Sequence, residues 1–263
     1  MVTIDKGLVQ CGILSRPGST FVENAIKSAV PFFDVIVLQH VRDEDDYKAM
    51  HHIFQDYPVQ VYYWSPEKFI FSEARNMLHS KCTSEWVFHL DDDERVVVYD
   101  DRLFSHTIRA NLSDPSAGYV SVNIMSPHTA ISPVGITSVF VQSRMTRIVR
   151  RNLQWHRNLH EIIGNQGTLG LVLDSAVMSL AHLGYDLTYQ GLMEKHSRNF
   201  KLLAQEIDSN GGSSLDWLHM GRLSLDSMKY DMAKLCFEKA LELTKKDGLC
   251  NIAEIKRYLI NFL

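Results

Sequence analysis

Four consecutive acidic residues, Asp91-Asp92-Asp93-Glu94, follow an apolar run at residues 86–90 that is typical of a buried strand. Carboxylates this close repel one another and cost stability unless a cation sits among them. Carboxylate oxygens suit hard cations such as Mg2+ or Mn2+, and an ion held by few carboxylates keeps positions open for phosphate oxygens. The run therefore predicts a metal and phosphate site at the end of a strand. A solvated acidic turn is the alternative that it leaves open.

Other residues that can bind phosphate, stack on a ring or exchange a proton stand along the rest of the chain. They are Arg75, Trp155, His160, Glu161, His182, Lys195 and Arg198. Arginine presents a planar fork that suits phosphate or a base edge, and residues 195 and 198 share one helix face because they are three apart. Each group has an ordinary alternative: a surface ion pair for Arg75, a core position for His182 and a solvated face for the helical pair.

The elements that must position these residues alternate between strand and helix. Predicted strands cover residues 8–14, 34–41, 59–64 and 86–90, predicted helices cover residues 44–55 and 71–82, and a Thr20–Glu23 capping box predicts a further helix start. This alternation predicts an α/β fold with a parallel sheet, in which ligands sit beyond the carboxyl ends of the strands. The acidic run lies at that edge. From residue 118 to about residue 174 we expect further strands, some of them antiparallel.

The C-terminal part is predicted to be helical. Residues 187–207 have the pattern of one long helix, and Asn210-Gly211-Gly212-Ser213 is the clearest linker. Six residues beyond it fall at the spacing of one tetratricopeptide repeat, a helical hairpin of about 34 residues: Trp217, Met220, Gly221, Ala233, Phe237 and Ala240. We therefore expect two domains, 1–209 and 210–263, with a plain amphipathic hairpin as the alternative for the second. A single repeat must lean on another surface, which is compatible with a homo-oligomer formed through these helices.

The overall composition excludes several classes of protein. The chain has 263 residues and a formal net charge of −4, so no overall positive field attracts nucleic acid. No run approaches the roughly 18 apolar residues of a membrane span, and the short, mixed residues 1–6 predict no signal peptide. The four cysteines lack metal-site spacing and indicate reduced thiols of a cytoplasmic protein. A peripheral position at the inner membrane face is compatible with these features.

Five motifs, taken in order, resemble the family 2 glycosyltransferases of GT-A fold. The segments are Phe71-Ser-Glu-Ala-Arg-Asn-Met77, Glu85-Trp-Val-Phe-His-Leu-Asp-Asp-Asp-Glu94, Trp155-His-Arg-Asn-Leu-His160-Glu161, Ala181-His182-Leu183-Gly184-Tyr185 and Lys195…Arg198-Asn199. The last three are similar to those of a subgroup that often carries tetratricopeptide repeats after its catalytic domain. The resemblance spans about residues 8–245 and implies a GT-A-like mixed, mainly parallel sheet flanked by helices.

Such enzymes move a sugar from a nucleotide-diphosphate sugar, expected here to be UDP-linked, to an acceptor nucleophile. The resemblance implies that Asp93 and His182 bind a divalent metal, Mn2+ or Mg2+, which neutralises the departing diphosphate. It implies that the nucleotide-sugar is bound by Arg75, Asp91, Asp92, Lys195 and Arg198. Within that set, Asp91 would lie near the ribose or the metal-bound water, and Lys195 and Arg198 would pair with the diphosphate.

The resemblance also implies how the acceptor is activated. Glu161 is the candidate general base, because a carboxylate within reach can take the proton of the attacking hydroxyl, and inversion at the anomeric carbon follows from the family. Trp155 and His160 are assigned to the acceptor or sugar pocket. Trp155 is equally compatible with a core position, and Glu161 with an ion pair to a nearby arginine. The acceptor stays open among a glycan, a lipid-linked glycan, a protein and a modified nucleic-acid base.

The chain departs from the family pattern in two places. Gln39 and His40 end the second strand where many relatives have a base-binding aspartate, which Asp43 or Asp45 could replace. A glycine usual before the His-Glu segment is replaced by an arginine, which belongs to a basic stretch: Arg144, Arg147, Arg150, Arg151 and Arg157. That stretch is compatible with a solvated strand face or with an anionic acceptor.

Two other functions are compatible with the same residues. A nucleotidyltransferase could hold a nucleotide phosphate with the same carboxylate–metal site and would release pyrophosphate. A non-catalytic protein could use the tetratricopeptide-like segment to bind a partner, with the sheet as its scaffold.

Overall fold

The computed structural model describes residues 7–132, 135–157, 162–164, 169–183, 189–260 and 262. The chain divides into two compact units, Met1–Asp186 and Leu187–Leu263. The first unit alternates strands and helices, and the second is helical. Among the described residues, every helix is too short or too polar to cross a lipid bilayer.

The first unit contains the elements that carry the acidic run. In chain order they are β1 (Val9–Ser15), α1 (Val22–Ala29), β2 (Asp34–His40), α2 (Glu44–Gln55), β3 (Val59–Trp64), α3 (Phe71–Lys81), β4 (Trp86–Asp91), β5 (Glu94–Val98), α4 (Asp101–Leu112), β6 (Ala117–Ser132), β7 (Gly135–Arg150), β8 (Gln154–His156), β9 (Ile162–Gly164), β10 (Leu169–Val172) and β11 (Met178–His182). The α/β class is confirmed.

Nine strands among the described residues form one mixed sheet. Its order is β3-β2-β1-β4-β7-β6-β11-β5, and β10 pairs with β6. Strands β3, β2, β1 and β4 are parallel, β7 is antiparallel to both β4 and β6, and β11 is parallel to β6 but antiparallel to β5. Parallel pairs outnumber antiparallel ones, so the predicted mixed, mainly parallel sheet is confirmed.

Strand register brings three chain segments to one edge of this sheet. In the parallel pair β1–β4, Leu14 lies opposite Asp91, so the segment after β1 adjoins the acidic run. In the antiparallel pair β11–β5, His182 lies opposite Glu94. Almost all side chains of β1, β2 and β4 are buried, so both faces of these strands pack inside the protein. A one-residue slip would exchange the side chains on the two packed faces, which favours the observed register.

One local prediction for the first unit is wrong. Phe21 is the N-cap of α1 and makes no side-chain cap, so the Thr20–Glu23 capping box does not form. Glu23 instead accepts a hydrogen bond from the Tyr57 hydroxyl at 2.7 Å and pairs with Lys27. Directly after the acidic run the structure has a further strand, β5, for which the sequence pattern made no prediction.

The second unit consists of α5 (Tyr189–Asn210), α6 (Ser214–Asp226), α7 (Tyr230–Asp247) and α8 (Ile252–Ile260). Helices α6 and α7 pack as the predicted hairpin, and at Gly221 an added Cβ would lie 2.5 Å from Cε1 of Phe237, so only a glycine permits this approach. Buried Leu218, Ala233 and Phe237 form the centre of this unit. A helical hairpin is thus present, and its identity as a tetratricopeptide repeat stays a prediction.

The two units meet at residues 186 and 187, whereas the sequence predicts a domain boundary at residues 209 and 210. Helix α5 belongs to the second unit because it packs against α6. Trp217 of α6 donates its indole N–H to the Gly211 carbonyl at 3.1 Å, and Lys229 lies 5.3 Å from the ring centroid of Phe200 in α5. The glycine-containing linker is therefore a turn inside one packed helical unit.

Candidate functional site at the end of β4

The acidic run forms a tight turn between β4 and β5, and we call Asp91–Glu94 the acid turn. Backbone contacts hold it in place: the Asp92 N–H donates to the Leu14 carbonyl at 3.1 Å, and the Leu183 N–H donates to the Asp93 carbonyl at 2.8 Å. Asp92 is 5% exposed and Glu94 is fully buried. The alternative of a solvated acidic turn is therefore wrong.

Two buried arginines donate hydrogen bonds to the first and last residues of the acid turn. Arg75 of α3 donates to one oxygen of Asp91 at 3.1 Å, and Arg147 of β7 donates to the other at 3.0 Å. Arg147 also donates to Glu94 at 2.5 Å, and Glu94 accepts from the Asp91 N–H at 3.1 Å. Strand β7 delivers Arg147 because it pairs with β4 near the start of that strand and continues past its carboxyl end.

A third arginine holds the middle of the acid turn. Arg16, directly after β1, donates its backbone N–H and its Nε to Oδ2 of Asp92 at 3.1 and 3.2 Å. Its Nη2 donates to Oδ2 of Asp93 at 3.1 Å. The three guanidinium groups offset three of the four carboxylate charges. Repulsion among the acids therefore does not by itself require a metal ion here.

The acid turn contains carboxyl groups with opposed pKa shifts. Burial alone would raise the pKa of Asp91, but the charges of Arg147 and Arg75 outweigh it and hold that pKa well below its usual value. Burial raises the pKa values of Glu94 and Asp92 despite their arginine partners. For Asp93, burial is outweighed by the hydrogen bond and charge of His182, so its pKa is lowered. Asp91 and Asp93 are therefore the groups that stay ionised most readily.

His182 and Asp93 lie together, as the resemblance implies. The His182 Nε2 is 3.4 Å from Oδ1 of Asp93, although the residues belong to different strand ends. Two ligands of one ion lie about 3 Å apart when both bonds are about 2.1 Å long, so this pair fits a shared metal ion. Among the described residues no group of three or more His, Cys, Asp or Glu side chains is arranged to hold a metal. Beyond the protein ligands that the described residues offer, a bound phosphate or water could complete the coordination.

Trp155 lies behind Arg75, not on an open surface. It is 4% exposed, and the guanidinium carbon of Arg75 lies 5.1 Å from its ring centroid. Its backbone N–H donates to Asn76 Oδ1 at 2.8 Å, while Asn76 donates back to the Trp155 carbonyl at 2.9 Å. This burial fits the core alternative, and contact with a sugar ring would require these groups to move.

Two buried histidines complete the support behind the acid turn. His79 and His89 have their Nε2 atoms 2.7 Å apart, and the Trp155 indole N–H points at the Nε2 of His89 at 3.2 Å. Burial lowers the pKa of His79 to about 4 and that of His89 well below its usual value. Both rings are therefore neutral near pH 7, and the cluster packs Trp155 against the arginine that holds Asp91.

Four of the predicted site residues lie either outside the described residues or in the second unit. His160 and Glu161 lie outside the described residues. Lys195 and Arg198 belong to α5 in the second unit, where Arg198 is exposed. Their roles stay predictions.

Asp43 and Asp45, the candidates to replace a base-binding aspartate, lie at the start of α2. The Asp43 carboxylate caps α2 by accepting from the Asp46 N–H at 2.9 Å, and Asp45 is exposed. Gln39 is buried and donates to the backbone carbonyls of Arg16 and His40 at 3.2 and 2.7 Å. The end of β2 therefore supports the segment after β1.

The basic stretch does not form one continuous charged surface. Arg147 is buried in the acid turn, while Arg150 pairs with Glu85 and also donates to the Ala117 carbonyl. Arg151 donates to the Ser84 carbonyl at 3.0 Å. These partners favour a structural use of the stretch over an anionic acceptor site.

Arg16 and Arg147 are the site residues that sequence reasoning did not assign. Arg16 could have been found, because it directly follows a strand predicted to be parallel to the one that ends in the acid turn. For Arg147 the available signal is a charged side chain in a predicted strand, followed directly by the apolar residues Ile148 and Val149. Neither sequence signal predicts which carboxylate the arginine contacts.

Comparison with known proteins finds matches among solved structures. No family model matches the chain, and no curated protein is similar to it. Residues 1–349 of S. aureus TarS align with a TM-score of 0.46 at 7% identity, covering 97% of this chain and 88% of that one. The same region in complex with UDP-GlcNAc gives 0.45 at 8% identity with the same coverage. CMP:2-keto-3-deoxy-manno-octonic acid synthetase complexed with CTP gives 0.36 at 10% identity, over 55% of this chain and 75% of that one. Similarity at this level does not establish a shared fold or activity.

Proposed function

We propose that this protein is a metal-dependent glycosyltransferase that moves a sugar from a UDP-linked sugar to an acceptor hydroxyl. The observation that carries the proposal is the contact between Asp93 and His182, whose atoms lie 3.4 Å apart. They meet where parallel strands β1 and β4 end, which is the edge at which ligands bind in such sheets. Both residues also belong to segments that resemble the family motifs.

The donor site would be built around this pair. Asp93 and His182 would hold Mn2+ or Mg2+, which supplies charge neutralisation to the departing diphosphate. Arg75 and Arg147 keep Asp91 ionised and fixed beside them. The family resemblance assigns Lys195 and Arg198 to the diphosphate, whose negative charge they would offset.

The chemical step is a displacement at the anomeric carbon. The acceptor oxygen forms a bond to that carbon while the bond to the diphosphate oxygen breaks, and the electron pair leaves with the nucleoside diphosphate. Glu161 takes the acceptor proton as general base. Attack opposite the leaving group inverts the anomeric configuration.

Product analysis tests the proposal. The protein is incubated with UDP-sugars, Mn2+ and a panel of glycan, lipid-linked glycan and protein acceptors, and released UDP and pyrophosphate are measured separately. We expect UDP from the wild type, at least a hundredfold less from Asp93→Asn, and an unchanged rate from Asp101→Asn, an exposed acid in the first turn of α4. Pyrophosphate release from a parallel incubation with nucleoside triphosphates and sugars would instead support a nucleotidyltransferase, because pyrophosphate leaves only from a triphosphate. Equal rates in wild type and Asp93→Asn would refute the assignment of the site.

A further inference from the structure

Arg16 differs from the other two arginines of the acid turn in its exposure. Its side chain is 52% exposed, whereas those of Arg75 and Arg147 are 4% and 5% exposed. Removing a buried partner strands an uncompensated charge, whereas an exposed ion pair contributes little. The partners of Arg16, which are Asp92 and Asp93, are only 6% and 13% exposed, so Arg16 is the arginine that can move away once another cation takes its place beside them.

The position of Arg16 is held independently of its guanidinium. The Arg16 backbone N–H donates to Asp92, and the Arg16 carbonyl accepts from the buried Gln39 side chain at 3.2 Å. The following turn contains Gly18 with φ +67°, where an added Cβ would meet no atom within 4 Å. The backbone is thus anchored at the sheet edge, while about half of the side chain is exposed to solvent.

The two oxygens of Asp93 already have different cationic or polar neighbours. Oδ1 faces Nε2 of His182 at 3.4 Å, and Oδ2 faces Nη2 of Arg16 at 3.1 Å. A divalent cation bound between Asp93 and His182 would stand close to the positive guanidinium and repel it. The two cations therefore compete for one carboxylate.

We propose that Arg16 is an exchangeable counter-ion that occupies Asp93 without ligand and moves to the diphosphate of a bound nucleotide. The inference rests on the proposed function and adds a residue and an order of events to it. The planar guanidinium fork suits phosphate oxygens, so Arg16 gains a partner when a nucleoside diphosphate arrives. The metal ion and the nucleotide consequently bind with positive coupling, each strengthening the other.

Calorimetric titration of the whole chain tests this inference. Mn2+ alone, and UDP in the presence of Mn2+, are titrated into wild type, Arg16→Gln and Arg16→Lys. We expect Arg16→Gln to bind Mn2+ alone at least tenfold more tightly than wild type, because the competing charge is gone. We expect it to bind UDP with Mn2+ at least tenfold more weakly, and Arg16→Lys to lie between, because lysine keeps the charge but lacks the fork.

A matched control separates this effect from a general loss of surface charge. Arg42 is similarly exposed and pairs with Asp46 in the same sheet unit, so Arg42→Gln should leave both affinities unchanged. Unaltered Mn2+ affinity in Arg16→Gln, or unaltered UDP affinity, would overturn the exchange. Failure of the wild type to bind UDP with Mn2+ would instead count against the proposed function, and the Mn2+ titration of Arg16→Gln would still decide whether Arg16 competes for Asp93.

Discussion

Replacing Arg147 with methionine should destabilise the first unit strongly and in a pH-dependent way. The Arg147 side chain is 5% exposed and contacts Asp91 and the fully buried Glu94. Removing one partner of a buried ion pair typically costs about 3–5 kcal/mol. Domains are stable by only about 5–15 kcal/mol, so the loss should be plain in equilibrium unfolding.

The pH dependence follows from Glu94. Burial already raises its pKa, and losing the Arg147 charge, which lowers it, would raise it further. The folded variant then binds a proton that the unfolded chain releases, so the variant loses stability as pH rises through the range between the unfolded and folded pKa values. Arg147→Met should therefore be less destabilised at pH 5.5 than at pH 8, where a buried carboxylate stands uncompensated.

Urea unfolding followed by tryptophan fluorescence measures this effect. A Trp217→Phe background leaves only tryptophans of the first unit, since the chain has four and the other three are Trp64, Trp86 and Trp155. Arg144→Met is the matched control, because Arg144 is exposed on the same strand and its loss should cost under about 0.5 kcal/mol. A loss at pH 8 below about 1 kcal/mol for Arg147→Met, or equal losses at both pH values, would refute the reasoning.

Two further predictions concern the buried histidines and the helical unit. Burial lowers the pKa of His79 to about 4. Between this value and about 6.5, the pKa of a histidine in the unfolded chain, the unfolded state binds more protons than the folded state. The free energy of unfolding should therefore fall by about 2 kcal/mol from pH 7 to pH 5 because of this residue. His79→Gln should flatten the profile in urea titrations, and an unchanged slope would contradict the prediction. Gly221→Ala places a Cβ 2.5 Å from Phe237 Cε1 and should lower the stability of the helical unit by about 1–3 kcal/mol in calorimetry. In Gly248→Ala the added Cβ meets no atom within 4 Å, but residue 248 has φ +65°, so the variant should lose about 1–2 kcal/mol of stability. No measurable loss of stability in Gly221→Ala would contradict the prediction and show that the Phe237 ring moves aside.

The local sequence pattern was sufficient to predict several helices and strands of the first unit. The helix at residues 44–55 and the strand at residues 59–64 have the predicted bounds. Asp43 supplies an N-cap to that helix, and apolar runs mark the strands, so the signals lie within each segment. Burial of Val35–Leu38 on both faces of β2 likewise follows from its continuous apolar run.

Long-range pairing explains what the pattern could not predict. Strand β5 begins with Glu94, a carboxylate of the predicted cation site that the structure buries against Arg147, 53 residues later in the chain. The contact between Arg16 and Asp92 spans 76 residues. Sequence spacing predicts which groups reach one edge of a sheet, but not which cation neutralises which acid, because that depends on side-chain reach across strands.

Binding of UDP in the presence and absence of Mn2+ tests the proposed site most directly. Calorimetric titrations compare wild type with Asp93→Asn, which keeps the size of the side chain and removes its charge. We predict that wild type binds UDP at least tenfold more tightly with Mn2+ than without it, and that this enhancement disappears in Asp93→Asn. UDP binding that is the same with and without Mn2+, or an enhancement that survives in Asp93→Asn, would contradict a metal–diphosphate site at the acid turn.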